Sequence, residues 1–391
     1  MEFTGLTIGV PKEIMHGERR VAAIPETVKK MVDGGAKVII ETGAGEESFF
    51  EDSLYQVAGA TLVDDVEKIY AVADIVLKVK EPQFNEAKNK HEVQMMKKDQ
   101  VLVTFIHPAS PVNHQMVRDL AKCGVTGLTL DGIPRISRAQ SMDALTSMSA
   151  VAGYKAVLMA ADRLSKFMPM IGTAVGMIKP ANVLVIGAGV AGLQAIATAK
   201  RLGAVVHVAD IRPDAREQAK SLGAKIVDLG IPDELAVGSG GYALKLSDEW
   251  LDKERLALKE IVSKSDIVIL CALIPSRLAP IILTDEMVKS MPAGSAVVDI
   301  SIDQGGNCQA TSPGIVTEKY QVSIDGTKNI PGMVPTSSTW MFANNIYNYL
   351  LNLVKEGRVE VNLDDEIIAS SLVTKDGQIV HAGALETMSV A

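Results

Sequence analysis

The sequence predicts an α/β fold in which two domains each carry a mostly parallel β-sheet. Short apolar runs with the length of buried strands alternate with longer helical segments along most of the chain, which is the pattern of a parallel sheet covered by helices. The chain has 391 residues, enough for two domains of ordinary size. A long helical stretch at about residues 141–167 separates two runs of this alternation.

The first run opens with a short strand at residues 7–11. A helix at 25–32 follows, because Pro25 suits a first helical position and the glycines at 34 and 35 end the segment. The other elements predicted in this run are strands at 36–40, 74–80 and 125–130 and helices at 66–72 and 112–122.

The second run contains four predicted strands, at residues 181–186, 205–210, 266–270 and 296–300. A polar, glycine-rich stretch at 237–243 is predicted to be a mobile loop. An amphipathic helix at 337–354 and a hairpin turn around 376–377 follow. We expect the second run to be inserted into the first, so that one domain comprises 1–140 and 335–391 and the other comprises 141–334.

The composition is that of a globular protein with a full core, at 47% hydrophobic and 22% charged residues. The net charge of −8 disfavours a nucleic acid or an anionic membrane surface as the main partner. Neither a secretory signal nor an unbroken apolar stretch of about 18 residues is apparent. We therefore expect any association with a membrane to require a partner protein.

The three cysteines, Cys123, Cys271 and Cys308, are far apart and lack the spacing of metal ligands. A sparse, odd count fits a reducing cytoplasm better than a disulfide framework. Cys271 lies in an apolar run and is predicted to be a small buried side chain. The sequence therefore predicts a cytoplasmic protein without a metal site.

A glycine-rich loop, GAGVAG at residues 187–192, follows a buried-strand run and precedes an apolar helix. In this arrangement Gly187 allows a tight turn, Gly189 lets the backbone approach a pyrophosphate, and Gly192 allows close packing of the helix on the strand. The N-terminus of the helix favours the phosphate charge. The loop predicts a dinucleotide site on a Rossmann-like domain; the alternative is a purely structural turn.

Asp210 lies at the end of the next strand, about twenty residues on, where an acid accepts hydrogen bonds from a ribose diol. It favours NAD over NADP because a 2′-phosphate would be repelled, although Arg212 could weaken that preference. Leu273, after the 266–270 strand, is predicted to line the nicotinamide pocket, or else to form an ordinary turn into a helix.

Three further segments resemble the alanine dehydrogenase and proton-translocating transhydrogenase family, and the resemblance extends over essentially the whole chain. They are PRISRAQSMD at 134–143, GGYA at 240–243 and LVTKDGQIVH at 372–381. Overall the chain is most similar to the NAD(H)-binding domain I of the transhydrogenase α subunit. The resemblance implies a fold of two Rossmann-like domains with parallel sheets, the NAD-binding domain being inserted into the N-terminal domain.

In that family the first segment holds the nicotinamide end of NAD(H) and faces the NADP(H)-binding domain. The resemblance assigns these roles to Arg135, Gln140 and Asp143. From charge alone, the same segment could be a solvated loop with an acid at a helix N-terminus. The other residues implied in cofactor binding are Ser149, Val190 and Gly241.

Other segments resemble a working alanine dehydrogenase. They are KVKEP at 78–82, FIHPAS at 105–110, IDQGG at 302–306 and VPTSST at 334–339, together with an arginine of the opening segment. In that enzyme the arginine and the second lysine of KVKEP bind the substrate, the histidine is the acid/base, and the aspartate lies beside nicotinamide and substrate. The corresponding residues of this chain are Arg20, Lys80, His107 and Asp303.

The chemistry of such a site agrees with these residue types. Reduction of a 2-oxo acid or its imine needs a cation for the carboxylate, a donor for the carbonyl and a group that titrates near neutral pH. Each residue also has an ordinary structural interpretation. These are a solvated strand edge for Lys78 and Lys80, a surface pair for Arg19 and Arg20, a structural histidine for His107 and turn chemistry for Asp303.

Three hypotheses follow. The chain could be a transhydrogenase component that binds NAD(H) and exchanges hydride with NADP(H) on another subunit, at the inner membrane through membrane subunits. It could instead be a stand-alone NAD-dependent amino-acid dehydrogenase acting on ammonia and a small 2-oxo acid. A non-enzymatic NAD(H) sensor is the third. The long 134–143 segment favours the first, although Leu244 stands where the transhydrogenase loop that contains GGYA is expected to carry lysine. The resemblance also implies a homo-oligomer, either a dimer or a hexamer.

Overall fold

The computed structural model describes residues 2–238, 243–274 and 278–390. The chain forms two compact units, one of residues 1–148 with 332–391 and one of residues 149–331. We call them the first unit and the second unit. The sequence placed the corresponding boundaries at 140/141 and 334/335.

The opening portion of the chain, up to the long connecting helix, alternates strands and helices. Its elements are β1 (Thr7–Val10), α1 (Pro25–Asp33), β2 (Lys37–Glu41), α2 (Asp52–Val57), β3 (Thr61–Val63), α3 (Val66–Val72), β4 (Ile75–Leu77), β5 (Phe84–Asn85), β6 (Lys90–His91), β7 (Val101–Thr104), α4 (His114–Lys122), β8 (Thr126–Thr129) and α5 (Ala144–Arg163).

The second unit continues the alternation and ends in two antiparallel strands. Its elements are β9 (Ile171–Thr173), β10 (Gly176–Ile178), β11 (Asn182–Ile186), α6 (Val190–Arg201), β12 (Val205–Ala209), α7 (Pro213–Ser221), β13 (Lys225–Ile226), α8 (Asp248–Val262), β14 (Ile267–Leu270), α9 (Asp285–Lys289), β15 (Ala296–Asp299), β16 (Val316–Lys319) and β17 (Val322–Asp325).

The chain then returns to the first unit. The elements of this closing portion are α10 (Pro335–Leu353), β18 (Val354–Lys355), β19 (Arg358–Val359), α11 (Glu366–Ser371), β20 (Leu372–Lys375), β21 (Gln378–Ile379) and α12 (Ala382–Val390). β20 pairs antiparallel with β8, so the returning segment extends the sheet of the first unit.

The two large sheets have the same strand order. In the first unit it is β3-β2-β1-β4-β7-β8, with β20 and β21 beyond β8, and in the second unit it is β13-β12-β11-β14-β15-β17-β16. Pairing is parallel except along β20, β21 and β16. Each sheet therefore follows the doubly wound order 3-2-1-4-5-6, and the predicted α/β class with mostly parallel sheets is confirmed.

This order places the two candidate sites. In each sheet the order of winding reverses between the first and fourth strands, β1 and β4 in the first unit and β11 and β14 in the second. The crevice beyond the carboxyl ends of such a strand pair is where doubly wound folds bind ligands. The central strands are fully buried because helices cover both faces of each sheet.

Several predicted elements differ in extent. The strand predicted at 74–80 ends at Leu77, and the helix predicted at 141–167 covers Ala144–Arg163. Sequence patterns missed the hairpin of β9 and β10, and they missed α12. Among the described residues, one helix, Ala144–Arg163, is long and apolar enough to cross a membrane by length and composition alone, and half of its apolar window is buried within the chain; a buried core helix has the same features.

Candidate active site

Each of the three glycines in the glycine loop of the second unit has a different local environment. Gly187 has φ of 91°, and a Cβ there would lie 2.8 Å from the backbone nitrogen of Ala272. A Cβ at Gly192 would lie 1.9 Å from the carbonyl oxygen of Gly187, so only glycine lets α6 pack this closely. Around Gly189 nothing lies within 4 Å of an added Cβ. The loop thus keeps a clear space at the N-terminus of α6, where a pyrophosphate group fits.

Asp210 follows β12 directly and is 6% exposed. Its Oδ2 accepts a hydrogen bond of 2.7 Å from the backbone N–H of Ala188 in the glycine loop. Arg212 contacts both carboxylate oxygens, through Nε to Oδ1 at 3.1 Å and through Nη2 to Oδ2 at 2.9 Å. The acid that the sequence predicted for the ribose diol is therefore beside the loop, in a two-point ion pair.

Ala272 and Pro280, which follow β14, both contact a residue that sequence reasoning missed. Asn307 is fully buried, and its side chain bonds the backbone N–H of Ala272 at 3.0 Å and the carbonyl oxygens of Ala272 and Pro280 at 2.9 and 2.8 Å. Asp299 accepts the backbone N–H groups of Asn307 and Cys308. One amide side chain thus ties both ends of the segment that contains Leu273, which is 39% exposed.

Cys271 is the first residue of this segment, and its thiol donates to the carbonyl oxygen of Gly187 at 2.9 Å. Burial raises the pKa of this thiol, and the carboxylate of Asp210 raises it further. The side chain is therefore a neutral packing group of the loop, but it is only partly buried, whereas its apolar context predicted a buried side chain.

In the first unit, a buried ion cluster occupies the carboxyl ends of β1 and β4. Lys78 is fully buried, and its Nζ lies 3.3 Å from Oε2 of Glu13 and 3.0 Å from Oε1 of Glu92. The hydroxyl of Tyr70 donates to the same oxygen of Glu92 at 2.7 Å. Glu13 also accepts the backbone N–H of Val79 at 2.6 Å. These contacts hold the chain rigid just before Lys80.

Protonation of this cluster follows from burial and from its excess of acids. Burial raises the pKa of Glu13 to about 7, although Lys78 opposes the shift. For Lys78, burial alone would lower the pKa, but Glu13 and Glu92 outweigh it and the pKa is raised. Lys78 is therefore a buried cation shared by two carboxyl groups. The solvated strand edge considered for Lys78 is wrong, because this residue follows β4 and is buried between acids.

Arg20 is also buried, at 3% exposure, and is held by Glu18. Its Nε and Nη2 contact the two oxygens of that carboxylate at 2.7 and 2.5 Å. Burial would raise the pKa of Glu18, but Arg20, with a smaller contribution from Lys80, lowers it to about 2. The surface pair considered for Arg19 and Arg20 is wrong for Arg20, while Arg19 is exposed beside Glu47.

His107 forms a pair with Asp131 at the ends of β7 and β8. Nδ1 lies 2.8 Å from Oδ1 of Asp131, and the backbone N–H of His107 donates to Oδ2 at 2.7 Å. The hydroxyl of Thr129 also donates to Oδ2, at 2.5 Å. The histidine has φ of 48° in the left-handed region, and its ring stacks on Phe105 with centroids 5.7 Å apart.

This pair sets the acid–base character of His107. Burial lowers the pKa of the imidazole, but Asp131 outweighs it and the net pKa is raised. Burial would raise the pKa of Asp131, yet His107 lowers it. A carboxylate at Nδ1 fixes the tautomer and leaves Nε2 to exchange a proton. The half-exposed side chain of His107, at 41%, is open to solvent.

Comparisons with known proteins show the family to which the chain belongs. The family models described as "Alanine dehydrogenase/PNT, N-terminal domain" and "Alanine dehydrogenase/PNT, C-terminal domain" match residues 9–152 and 156–382. The chain belongs to the alanine dehydrogenase/PNT family. Its resemblance to this family, recognised from sequence segments, is confirmed.

Three relatives within the family are similar along nearly their whole length. An NAD(P) transhydrogenase alpha-subunit protein of Rhodospirillum rubrum is 42% identical, with 96% of this chain and 98% of that protein covered. Alanine dehydrogenase of Bacillus subtilis is 32% identical, with 96% and 93% covered. A transhydrogenase structure from Sinorhizobium meliloti matches with a TM-score of 0.84 at 38% identity, covering 96% of this chain and 100% of that one.

Family members are NAD-dependent oxidoreductases, and the glycine loop and Asp210 fit that cofactor. The residues assigned to the nicotinamide end are placed in both units. Arg135 and Gln140 are exposed residues of the first unit, while Ser149 and Val190 lie in helices of the second. Gly241 lies outside the described residues.

Asp143 already has a structural role. Its carboxylate accepts the backbone N–H of Thr146 at 2.8 Å and the hydroxyl of Thr146 at 2.6 Å, at the start of α5. Arg138, in the same segment, pairs with Asp365 at 2.6 Å. The helix N-terminal charge considered for Asp143 is therefore present, whatever contact it makes to a nucleotide.

The residues assigned to an organic substrate also divide between the units. Arg20, Lys80 and His107 belong to the first unit, and Lys80 is near enough to Glu18 and His107 to influence the pKa of each. Asp303 belongs to the second unit and is exposed in a short 3-10 segment that ends at Gly305 with φ of 101°. Sequence reasoning missed the acids Glu13, Glu18 and Asp131, because carboxylates that pair with a distant lysine or histidine leave no local spacing signal.

Proposed function

We propose that this protein is the NAD(H)-binding component of an NAD(P) transhydrogenase, equivalent to domain I of the alpha subunit. The observation that carries the proposal is the clear space at Gly189 at the N-terminus of α6, beside Asp210. The 42% identity to a transhydrogenase subunit over nearly the whole chain supports the same assignment. NADP(H) would be held by another subunit, and the membrane-spanning subunits would place this chain at the inner membrane.

In this proposal the residues of the chain bind the nucleotide and orient it. Backbone N–H groups at the start of α6 bind the pyrophosphate, and Gly189 allows its close approach. Asp210 accepts hydrogen bonds from the ribose diol. We propose that Leu273, which follows β14, lines the nicotinamide site together with Arg135, Gln140, Asp143, Ser149, Val190 and Gly241. When bound, the nicotinamide ring supplies or accepts the hydride.

A second candidate function, reductive amination of a small 2-oxo acid, is favoured by the His107–Asp131 pair. A histidine oriented by a carboxylate at Nδ1 is suited to pass a proton from Nε2, and hydride exchange between two nucleotides needs no such group. Arg20, whose Nε and Nη2 contact Glu18, and Lys80 are the two cations that would hold the substrate carboxylate. Asp303 would lie beside the reacting centre.

The two functions are separated by one pair of assays on the purified chain. The first follows NADH oxidation with ammonia and a panel of 2-oxo acids beginning with pyruvate, for the wild type, His107→Ala and Lys80→Ala. The second adds an NADP(H)-binding transhydrogenase subunit and follows hydride transfer from NADH to NADP⁺. The exposed Lys29 gives a matched control, Lys29→Ala.

Hydride transfer that depends on the added subunit and survives both substitutions supports the transhydrogenase component. Turnover of a 2-oxo acid that both substitutions abolish, with the Lys29→Ala control active, would replace that proposal with an amino-acid dehydrogenase. Tight NADH binding with neither activity would leave a sensor. Size-exclusion chromatography with light scattering tests the proposed homo-oligomer, a dimer or a hexamer.

A further inference from the structure

Both carboxylate oxygens of Asp210 are fully occupied by hydrogen bonds from the protein itself. Oδ1 accepts the backbone N–H of Arg212 at 2.8 Å and its Nε at 3.1 Å. Oδ2 accepts the backbone N–H of Ala188 at 2.7 Å and Nη2 of Arg212 at 2.9 Å. An ionised carboxylate offers about four acceptor positions, so these four contacts leave no position for a fifth donor.

A ribose diol needs two of these positions. The two backbone N–H groups belong to the glycine loop and to the residue that precedes α7, so they are fixed by the fold. The side chain of Arg212 is the part that can move, since its two contacts are made by a flexible chain. Binding of the diol at Asp210 therefore requires the Arg212 side chain to leave.

The ion pair that must open is partly buried. The side chain of Asp210 is 5% exposed and that of Arg212 is 17% exposed. Burial would lower the pKa of Arg212, but the hydrogen bonds and charge of Asp210 raise it. A charged, two-point contact in such surroundings is stronger than one at a free surface. Its opening thus costs free energy that the ribose contacts must offset.

We propose that Arg212 competes with the adenosine ribose for Asp210, and that its release sets the affinity for NAD(H) and the discrimination against NADP(H). This inference rests on the proposed function, since it refines the same nucleotide site. When only a fraction of molecules has the carboxylate open, the apparent affinity falls by that fraction. Released Arg212 is also the cation that would meet a 2′-phosphate, while Asp210 repels it. The arginine therefore weakens NADH binding and strengthens NADPH binding.

The test measures dissociation constants of NADH and NADPH at pH 8 by titration calorimetry, for the wild type, Arg212→Met and Arg216→Met. Arg216 lies in α7, the helix that Arg212 precedes, and pairs with Asp233 at 2.7 Å, so its replacement removes one charge without touching Asp210. We expect Arg212→Met to bind NADH about three to ten times more tightly and NADPH more weakly. The Arg216→Met control should change neither constant.

Unchanged or weaker NADH binding by Arg212→Met, with wild-type binding intact, would overturn the inference and leave the proposed function standing. Absence of NADH binding by the folded wild type would instead contradict the proposed function. If Arg212→Met does not fold, Arg212→Lys is tested in its place, because lysine keeps the charge and loses the two-point contact. It should bind NADH more tightly than the wild type; equal or weaker binding would again refute the competition.

Discussion

The Nδ1 atom of His107 lies 2.8 Å from Oδ1 of Asp131, although the two residues are 24 positions apart and follow different strands. β7 and β8 are parallel neighbours, so their carboxyl ends bring both side chains to one edge of the sheet. The contact raises the pKa of the half-exposed histidine. It is the strongest feature of the first unit that a purely nucleotide-binding role does not require.

The His107–Asp131 contact predicts how the two groups titrate. Asp131→Asn should lower the pKa of His107, because burial then acts without the opposing carboxylate. Two-dimensional NMR of the histidine ring protons measures this shift, and Asp376→Asn, in an exposed hairpin turn, is the control. An unchanged His107 pKa in Asp131→Asn would show that the contact does not persist in solution.

The same contact makes a contribution to stability that depends on pH. The His107 pKa is raised above 6.5, so its contribution is complete below that value and is lost as pH rises through the raised pKa. The Asp131 pKa is lowered below 3.8, so its contribution is present above that value and is lost as pH falls through the lowered pKa. Thermal unfolding of Asp131→Asn should therefore differ most from the wild type between these two limits.

Replacement of glycine by alanine is predicted to have different consequences at two positions of the glycine loop. Gly189→Ala should leave the thermal unfolding midpoint unchanged and weaken NADH binding by roughly tenfold, because the new Cβ enters the clear space meant for the pyrophosphate. Gly192→Ala should lower stability by about 1–3 kcal/mol, because its Cβ meets the Gly187 carbonyl. Gly172→Ala, which also meets nothing within 4 Å, is the control and should change neither property. Full NADH affinity in Gly189→Ala would place the pyrophosphate elsewhere.

The buried cluster around Lys78 predicts a large loss on removal of its cation. Lys78→Met leaves Glu13 and Glu92 buried without their shared counter-ion, and the loss of one partner from a buried ion pair costs about 3–5 kcal/mol. Urea unfolding at pH 8 measures the change. Lys29→Met, an exposed lysine paired on one helix, should lie near the wild type. A loss no larger than that of the control would mean that both carboxyl groups are neutral in the folded variant.

Glu254 predicts a second pH effect, in the second unit. It is 5% exposed in α8, and burial, with the nearby charge of Asp210, raises its pKa from 4.5 to about 7. Because the Glu254 carboxyl is buried, it favours the folded state only when it is protonated. The wild type therefore loses stability as pH rises from 4.5 to about 7. Glu254→Gln should abolish about 3 kcal/mol of that loss between pH 4.5 and 8.

The matched control is Glu217→Gln, at an exposed position of α7. Chemical unfolding over the same pH series compares the three proteins. Parallel pH profiles for wild type and Glu254→Gln would indicate that Glu254 titrates at an ordinary pKa, and therefore that water reaches it.

The nucleotide site could be predicted from sequence because its signals are local. The strand, the glycine loop and the helix are contiguous, and the acid follows one strand later, so a spacing pattern records them. The ion pair between Asp210 and Arg212 could not be predicted, since two residues in a turn can point apart or together. Which of them a ribose meets first depends on side-chain packing.

By itself, the sequence determined the α/β class, the parallel sheets, the dinucleotide loop and the membership of the family, because these depend on periodicity and on short motifs. The tertiary structure alone decided that Lys78 is shared by Glu13 and Glu92, that Arg20 is held by Glu18 and that Asp131 orients His107. Parallel strands bring residues from distant parts of the chain to one sheet edge, and burial there lowers the local dielectric. Charge and protonation in this site therefore depend on neighbours that sequence spacing does not reveal.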